Sequence, residues 1–355
     1  MMFGDSRAQL VSCDWYALSC LCEPAYDGRA LSLPSGLVYQ EQGGTAVFKH
    51  RWYIIDGNSG MKVATILTLP HSPQIDARTT VVEIANYFLY SALFHRVLDI
   101  CLECLPLVPT GMSRVDLCCD WELNAQRWEV IKQLDSGEAY LKGIRKGVVW
   151  RSKEGQTFYP HDISWGGKES TFKWKVYYKY KELHDGGVES LKPYIEEAWK
   201  VAGMTPKAVW RCEVSISNSN KLRDIERGGR VAYREWFDDR VALFSSIYAD
   251  KFVIRRGEGH ADKRNDPRLY FLDFEAPKRI KHNLSREREI ESNVERRIVC
   301  KLWKEFTDRE VRCNGFALEG LRQHLAYMFQ SYRNVESVCR RYGLTDTDVL
   351  QMLQM

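Results

Sequence analysis

Residues 171–181 read TFKWKVYYKYK, and the alternation along this run decides the fold class of the sequence around it. In a β-strand, successive side chains point to opposite faces. One face here would carry aromatic and aliphatic side chains: Phe172, Trp174, Val176, Tyr178 and Tyr180. The other face would carry four lysines and one tyrosine: Lys173, Lys175, Tyr177, Lys179 and Lys181. The pattern therefore predicts a strand with one packed face and one basic face, on which Tyr177 stands apart from the packing aromatic residues.

Two other runs alternate in the same way and place acids on their polar faces. In RVDLCCDWE, residues 114–122, the polar face would carry Arg114, Asp116, Cys118, Asp120 and Glu122. In WRCEVSIS, residues 210–217, it would carry Arg211, Glu213, Ser215 and Ser217. If these strands are neighbours in one sheet, carboxylates, lysines and one phenol meet on one surface.

The whole chain has the pattern of an α+β fold, with a central, mainly antiparallel β-sheet, packed helices and a C-terminal helical region. Short β-like runs at 52–55, 62–69, 114–121, 172–181 and 209–217 alternate with helical patterns at 80–105 and 188–202. From about residue 285 onward the sequence is Glu/Arg-rich and helical. We predict one domain over residues 1–250 and a helical region over residues 255–355, which would serve DNA recognition, oligomerisation or packing.

The composition is that of a packed globular protein, with 45% hydrophobic residues among 355. The sequence has no run of the roughly 20 apolar residues that cross a bilayer. The first residues include Asp5 and Arg7 and lack the apolar region of a secretory signal, so we expect a cytoplasmic protein without a membrane partner. The eleven cysteines are then reduced thiols. A net charge of +4 permits a polyanionic partner without requiring one.

The predicted surface has the groups that a phenol needs in order to attack DNA. A tyrosine hydroxyl with an ordinary pKa is a weak nucleophile at neutral pH, while lysines hold a phosphodiester backbone. Asp and Glu oxygens suit Mg²⁺ or Mn²⁺, which stabilise charge on the departing oxygen. Asp116 and Asp120 lie roughly 13 Å apart along an extended strand, so we expect only one of them to bind a given ion. The pattern alone equally fits a solvent-facing Tyr177 on a basic strand.

Three of these segments, in this order, resemble motifs of the replication initiation factor family, which comprises rolling-circle initiators of small plasmids and filamentous phages and related relaxases of integrative elements. RVDLCCDW at 114–121 is similar to the family's R-x-D-x-x-x-D-aromatic strand. GGKES at 166–170, followed by YYKYKE at 177–182, resembles its G-S-x-x-S segment and Y-x-K-x-x-E signature, although Gly167 stands where the family often has Ser. WRCEV at 210–214 is similar to its R-x-E strand and CDWYALS at 13–19 to its first strand, so the resemblance covers about residues 11–220.

The resemblance implies metal-dependent nicking and joining of single-stranded DNA at a replication origin, through a 5′-phosphotyrosine on Tyr177. It implies Lys179 and Glu182 as further catalytic residues, and Mg²⁺ or Mn²⁺ held by the strand of Asp116 and Asp120 together with Glu213. The residues expected to bind DNA are Arg114, Lys168, Ser170, Lys173, Lys175, Lys181 and Arg211. The expected partners are single-stranded or hairpin origin DNA, a host helicase and a second copy of the chain, in the cytoplasm of a bacterial host. This hypothesis requires an accessible Tyr177 hydroxyl with Glu213 and an aspartate close to it.

Two other functions compete with this one. A non-catalytic DNA-binding regulator of a mobile element would use the lysines only as electrostatic contacts, but it leaves the acids on the same face unexplained. A tyrosine recombinase would use Arg322 with Tyr342 as its nucleophile, but Glu319 replaces the expected histidine, and the leucine spacing there fits an ordinary amphipathic helix. Within the first hypothesis, Tyr177 of a second copy or water activated by Glu182 would resolve the replicated circle.

Overall fold

A computed structural model describes residues 8–142, 147–154, 157–167, 170–185, 192–217, 222, 225–226, 231–257, 266–272 and 274. The chain divides into two units, Met1–His282 and Asn283–Met355, and every described residue belongs to the first. The described β structure continues past residue 255, where the helical region was expected to begin. The helices predicted after residue 285, together with Arg322 and Tyr342, lie outside the described residues.

The described residues form a ten-stranded sheet and a three-stranded sheet, and every strand pair is antiparallel. In the large sheet the strand order is β2-β3-β4-β5-β1-β6-β11-β10-β9-β8, and in the small one it is β13-β12-β7. The strands are β1 (Gln9–Cys22), β2 (Leu37–Gln42), β3 (Phe48–Asp56), β4 (Lys62–Pro70), β5 (Thr79–Ile84), β6 (Leu107–Glu122), β7 (Ala139–Leu141), β8 (Val148–Glu154), β9 (Thr157–Trp165), β10 (Phe172–Tyr177), β11 (Val209–Ile216), β12 (Ile254–Arg256) and β13 (Arg268–Leu269).

Helices pack on both faces of the large sheet. They are α1 (Asn86–Leu89), α2 (Phe94–Glu103), α3 (Ala125–Ser136), α4 (Lys179–Asp185), α5 (Pro193–Val201), α6 (Glu235–Asp238) and α7 (Arg240–Lys251), with a 3₁₀ turn at Pro206–Ala208. This architecture confirms the predicted α+β class with a central, antiparallel sheet. Within the described residues, no helix is both long and apolar enough to cross a membrane.

The predicted helix at 80–105 is wrong at its start. Thr80, Val82 and Ile84 are buried while the residues between them are partly exposed, which is the two-residue period of a strand. β5 pairs with β4 on one side and β1 on the other, so ladder hydrogen bonds on both edges outweigh the helical pattern. The helical part of this segment is confined to α1 and α2.

The predicted strand at 172–181 is too long, because β10 ends at Tyr177. The Tyr178 N–H donates to the carbonyl of His161, and the chain then turns into α4. In α4, Lys179 and Leu183 are buried four residues apart, as one side of a helix requires. Lys179 and Lys181 therefore do not continue the lysine row of the strand.

Near β10 the large sheet has two faces of different character. The core face carries Trp174, Val176 and Val214, and the site face carries Tyr177 and Glu213. On the core face, Trp174 is buried against three aromatic rings of the α7 segment, those of Phe244, Tyr248 and Phe252, with centroid distances of 6.4, 6.3 and 4.7 Å. A smaller apolar cluster lies on the site face and contains Leu183, Ile195, Trp199, Met204 and Val209.

Trp174→Ala should lower the free energy of unfolding by about 3–5 kcal/mol, because it leaves a cavity among the aromatic rings of α7. Denaturant unfolding followed by circular dichroism measures this loss. Phe158→Ala is the matched control at an exposed ring and should change stability by about 0.5 kcal/mol or less. Equal losses in the two variants would contradict the assignment of Trp174 to the core.

Candidate active site

Strand pairing aligns the predicted site residues across the sheet. β11 lies between β6 and β10. Tyr177 on β10 is opposite Arg211 on β11, and Arg211 is opposite Asp120 on β6. Two pairs along, and so on the same face, Lys175 is opposite Glu213. Because opposed residues point to the same face, the acids, the lysines and the phenol share the site face.

The site face is more closed than the alternation along its strands indicates. α4 and α5 place Lys179 and Trp199 against it, and Tyr177 is only 4% exposed. Asp116 and Asp120 are also buried. The expected accessibility of the phenol is therefore not met in this arrangement. Alternation within one strand cannot reveal helices that later segments lay over it.

The hydroxyl of Tyr177 lies between a carboxylate and an ammonium group. It donates a hydrogen bond to Glu213 Oε2 at 3.0 Å, and Lys179 Nζ lies 3.4 Å from the same phenol oxygen. Lys179 also pairs with Glu182, at 2.8 Å from Nζ to Oε2. Lys175 Nζ lies over the phenol ring, 4.2 Å from its centroid. The signature residues at 177, 179 and 182 thus form one chain of contacts that ends at Glu213.

The surroundings raise the pKa values of both Glu213 and Tyr177, with a different consequence for each group. Burial raises the pKa of Glu213 to about 7, with repulsion from Asp14 and Asp116 adding to the effect and Arg211 opposing it. Burial, followed by the Glu213 charge, raises the pKa of Tyr177 well above its usual value. Glu213 can therefore accept a proton near neutral pH, whereas the phenol keeps its proton unless a nearby cation stabilises the phenolate.

Arg211 is the centre of a buried ion-pair network. Its Nε and Nη2 donate to the two oxygens of Asp120 at 2.6 and 2.8 Å, and its Nη1 donates to Asp14 Oδ1 at 2.7 Å. A further bond joins Nη2 to the hydroxyl of Tyr90 at 2.8 Å. The side chain is 0% exposed, so the expectation that Arg211 contacts DNA is corrected: it pairs with carboxylates inside the protein.

Asp120 is likewise corrected, from a metal ligand to an ion-pair partner. Both of its oxygens bind Arg211, and the Trp199 Nε1–H donates to Oδ2 at 2.7 Å. Asp116 accepts from Arg114 Nη2 and from Ser215 Oγ, each at 2.5 Å. These carboxylates have their oxygens directed at protein donors rather than at a shared cation position.

The arrangement does not fit a Mg²⁺ or Mn²⁺ ion as it stands. Among the described residues, no three His, Cys, Asp or Glu side chains are grouped closely enough to hold a metal. Glu213 has one oxygen, Oε1, that accepts no hydrogen bond from the described residues. One such oxygen supplies a single ligand, whereas these hard cations take about six.

Three of the predicted DNA-binding residues lie at the edge of the site, within reach of solvent. Arg114 lies over the ring of Trp15, 4.4 Å from its centroid, and Lys173 is partly exposed. Lys175 is 38% exposed and pairs with Asp162 at 3.0 Å. These are basic groups of the site face that solvent reaches.

The other predicted DNA-binding residues are placed differently. Lys181 pairs with Asp185 along α4. Ser170 accepts the N–H of Gly167 at 2.8 Å in the turn between β9 and β10. Gly166 in this turn has φ +100°, and a Cβ there would lie 2.9 Å from the Phe172 carbonyl, so the turn requires glycine. Lys168 lies outside the described residues.

Sequence reasoning assigned no role to Asp14, which the structure places beside Arg211. It lies at a register shift of β1, between Cys13 and Trp15. Burial alone would raise its pKa, but Arg211, followed by Lys179, holds the pKa well below its usual range. The only signal in the sequence is a charged residue inside an otherwise apolar strand.

Comparison of the sequence with models of protein families and with curated proteins gives no match. Among solved structures, the chain is similar to one described as the rolling circle replication initiator protein from Geobacillus stearothermophilus. The two are 12% identical with a TM-score of 0.44, over 74% of this chain and 93% of that chain.

Arg211→Met should lower the free energy of unfolding by about 3–5 kcal/mol, because it leaves Asp120 and Asp14 buried without their cation. Thermal and denaturant unfolding measure this loss. Lys175→Met removes a cation that is partly exposed and should cost about 1 kcal/mol or less. A small loss in Arg211→Met would mean that water reaches these carboxylates.

Glu213→Gln should gain stability relative to the wild type as the pH rises. A carboxyl with a folded pKa of about 7 stabilises the protein fully below its unfolded pKa, and this contribution is lost as the pH rises through 7. Glutamine does not titrate, so the stability difference between variant and wild type should shift by on the order of 2 kcal/mol between pH 5 and pH 8. Unfolding in EDTA at both pH values measures it, and a pH-independent difference would contradict the raised pKa.

Proposed function

We propose that this protein nicks and rejoins one strand of DNA with Tyr177 as the nucleophile, at an origin of rolling-circle replication in a plasmid, phage or integrated element. The observation that carries the proposal is the phenol held between Glu213 Oε2 and Lys179 Nζ. A proton acceptor and a cation on one nucleophilic oxygen are the groups that activate a hydroxyl for attack on phosphorus. The ordered motifs around Tyr177, Asp116 and Glu213 support the same function.

Access to the phenol requires side chains at the edge of the site to move. Lys175 covers the ring of Tyr177 from the solvent side of the site face, and its ammonium is held by a single ion pair to Asp162. Such partly exposed pairs contribute about 1 kcal/mol or less, so a phosphate can compete for the lysine. A DNA backbone that binds Lys175 would thereby uncover one side of the ring, and the Lys179 side of the hydroxyl would also have to open for phosphorus to reach it.

The reaction then uses groups already in contact. Glu213 accepts the phenol proton while the Lys179 ammonium stabilises the developing phenolate. The phenolate oxygen forms a bond to phosphorus, and the bond from phosphorus to the 3′ oxygen breaks. The 3′ oxygen takes up a proton and leaves as a hydroxyl, while the 5′ phosphate stays on Tyr177. Rejoining reverses these steps with a 3′ hydroxyl as the attacking group.

A Mg²⁺ or Mn²⁺ requirement is part of the proposal and rests on the resemblance and on the chemistry of Glu213. Such an ion would supply positive charge at the reacting phosphate. Glu213 would supply one ligand through Oε1, and water and the DNA phosphate would have to supply the others.

A second function, DNA binding without catalysis, is favoured by the burial of Tyr177 and its raised pKa. In such a regulator, Arg114, Lys173 and Lys175 would contact the DNA backbone. The network under them would then only stabilise the sheet. Formation of a covalent adduct distinguishes the two functions.

Tyr177→Phe should abolish a covalent adduct between the full-length protein and labelled single-stranded DNA from the origin region of its own element. Denaturing gel electrophoresis after incubation with Mn²⁺ or Mg²⁺ detects the adduct. Tyr178→Phe is the matched control, because the Tyr178 hydroxyl donates to the Lys207 carbonyl at 2.7 Å, away from Glu213. It should leave the adduct in place.

Three outcomes of this assay decide between the functions. DNA binding without any adduct in the wild type would support the regulator. An adduct that survives Tyr177→Phe would reject Tyr177 as the nucleophile. An adduct of equal yield in EDTA would reject the metal requirement alone.

A further inference from the structure

Trp150 is the large aromatic side chain that the structure leaves unpacked near the site. It lies on β8, which is the edge strand of the ten-stranded sheet, and it is 61% exposed. Val148 on the same strand is also exposed. Burying a tryptophan side chain is favourable by several kcal/mol, so one on a strand this open is available to a partner.

Strand register places Trp150 in line with Tyr177. Trp150 is opposite Asp162 on β9, and Asp162 is opposite Tyr177 on β10. Opposed residues share a face, so the indole lies on the site face. Two inter-strand spacings, from β8 to β9 and from β9 to β10, separate the backbones of Trp150 and Tyr177 by about 10 Å. This is about three nucleotides or fewer, given a rise of roughly 3.4 Å per nucleotide in a stacked strand.

The surface between the two residues is suited to a phosphate backbone. Lys175 lies two residues from Tyr177 along β10 and is partly exposed, and its ammonium pairs with Asp162, which lies between Trp150 and Tyr177 in register. Lys173 lies two residues further along β10, on the same face. An exposed indole beside lysines is the combination by which proteins bind single-stranded nucleic acid, with the base on the ring and the backbone on the cations.

We propose that Trp150 is a base-stacking platform for single-stranded DNA, and that it holds a base within about three nucleotides of the phosphate presented to Tyr177. The position relative to the scissile phosphate rests on the proposed nicking function. The stacking itself rests on the exposure, register and charge of the site face. Stacking tolerates any base, so Trp150 positions the strand without reading its sequence.

Trp150→Ala in the full chain should weaken binding of a fluorescein-labelled oligothymidylate by about tenfold, as the loss of one base–aromatic stack predicts. Fluorescence anisotropy at fixed salt measures the affinity. Trp150→Phe, which keeps an aromatic face, should restore binding to within about threefold of the wild type. Since the residue is exposed, thermal unfolding of both variants should match that of the wild type.

Phe158→Ala is the matched control. Phe158 is 62% exposed and has a lysine near its ring, Lys153. Phe158 is opposite Lys153 on β8. Lys153 is three residues from Trp150 along that strand, and residues an odd number apart point to opposite faces. Phe158 and Lys153 therefore lie on the core face, whereas Trp150 lies on the site face. Affinity in Phe158→Ala should stay within about twofold of the wild type, because single exposed rings away from the DNA contribute nothing.

Oligonucleotides with one abasic position test the placement beside Tyr177. On origin DNA, removing the base at one position near the cleavage site should weaken binding by the wild type. Binding by Trp150→Ala should not change when the base at that same position is removed. If the wild type forms no adduct while Trp150→Ala still weakens oligothymidylate binding, nicking is rejected and the stacking platform is retained. If the wild type forms the adduct and Trp150→Ala binds DNA like the wild type, the stacking platform is rejected and nicking is retained.

Discussion

The buried guanidinium of Arg211 joins three strands and a helical segment through hydrogen bonds. It bonds Asp120 on β6, Asp14 on β1 and the hydroxyl of Tyr90, which follows α1. Removing two carboxylates and a guanidinium from water carries a large desolvation cost, which is offset only when each donor faces an acceptor at close range. The strands around the site can therefore shift very little relative to one another without leaving a buried charge unpaired.

The same network sets the electrostatics at Tyr177. Arg211 satisfies Asp14 and Asp120, whereas Glu213 has the phenol as its hydrogen-bond donor and feels the charges of Asp14 and Asp116. Its pKa of about 7 follows from burial together with this local excess of negative charge. A carboxylate in that state is a proton acceptor at neutral pH, and it is also where a cation or a lysine would be drawn. The Arg211 network is buried and Lys175 is partly exposed, so DNA would approach Tyr177 from the side of Lys175.

The sheet extends this arrangement beyond the groups around Tyr177. Asp120, Arg211, Tyr177, Asp162 and Trp150 lie in one row across five adjacent strands. The buried end of the row is an ion-pair network, its centre is the phenol, and its exposed end is an indole on an edge strand. A single strand of DNA that lies across the sheet from the edge would therefore meet the Trp150 indole before it reaches β10, which carries Tyr177, the proposed nucleophile, beside Lys175.

The residues that share a face can be identified from the order of amino acids along each strand. Alternation in 114–122, 171–181 and 210–217 predicted the site face of β6, β10 and β11, and with it the meeting of Tyr177 and Glu213, because side-chain direction along a strand depends only on parity. Tertiary structure alone decided that Tyr177 is covered and that Asp120 and Arg211 bind each other. It also decided that Asp14, 197 residues from Arg211, completes the network. These outcomes depend on segments far apart in sequence, so no local period in the chain encodes them.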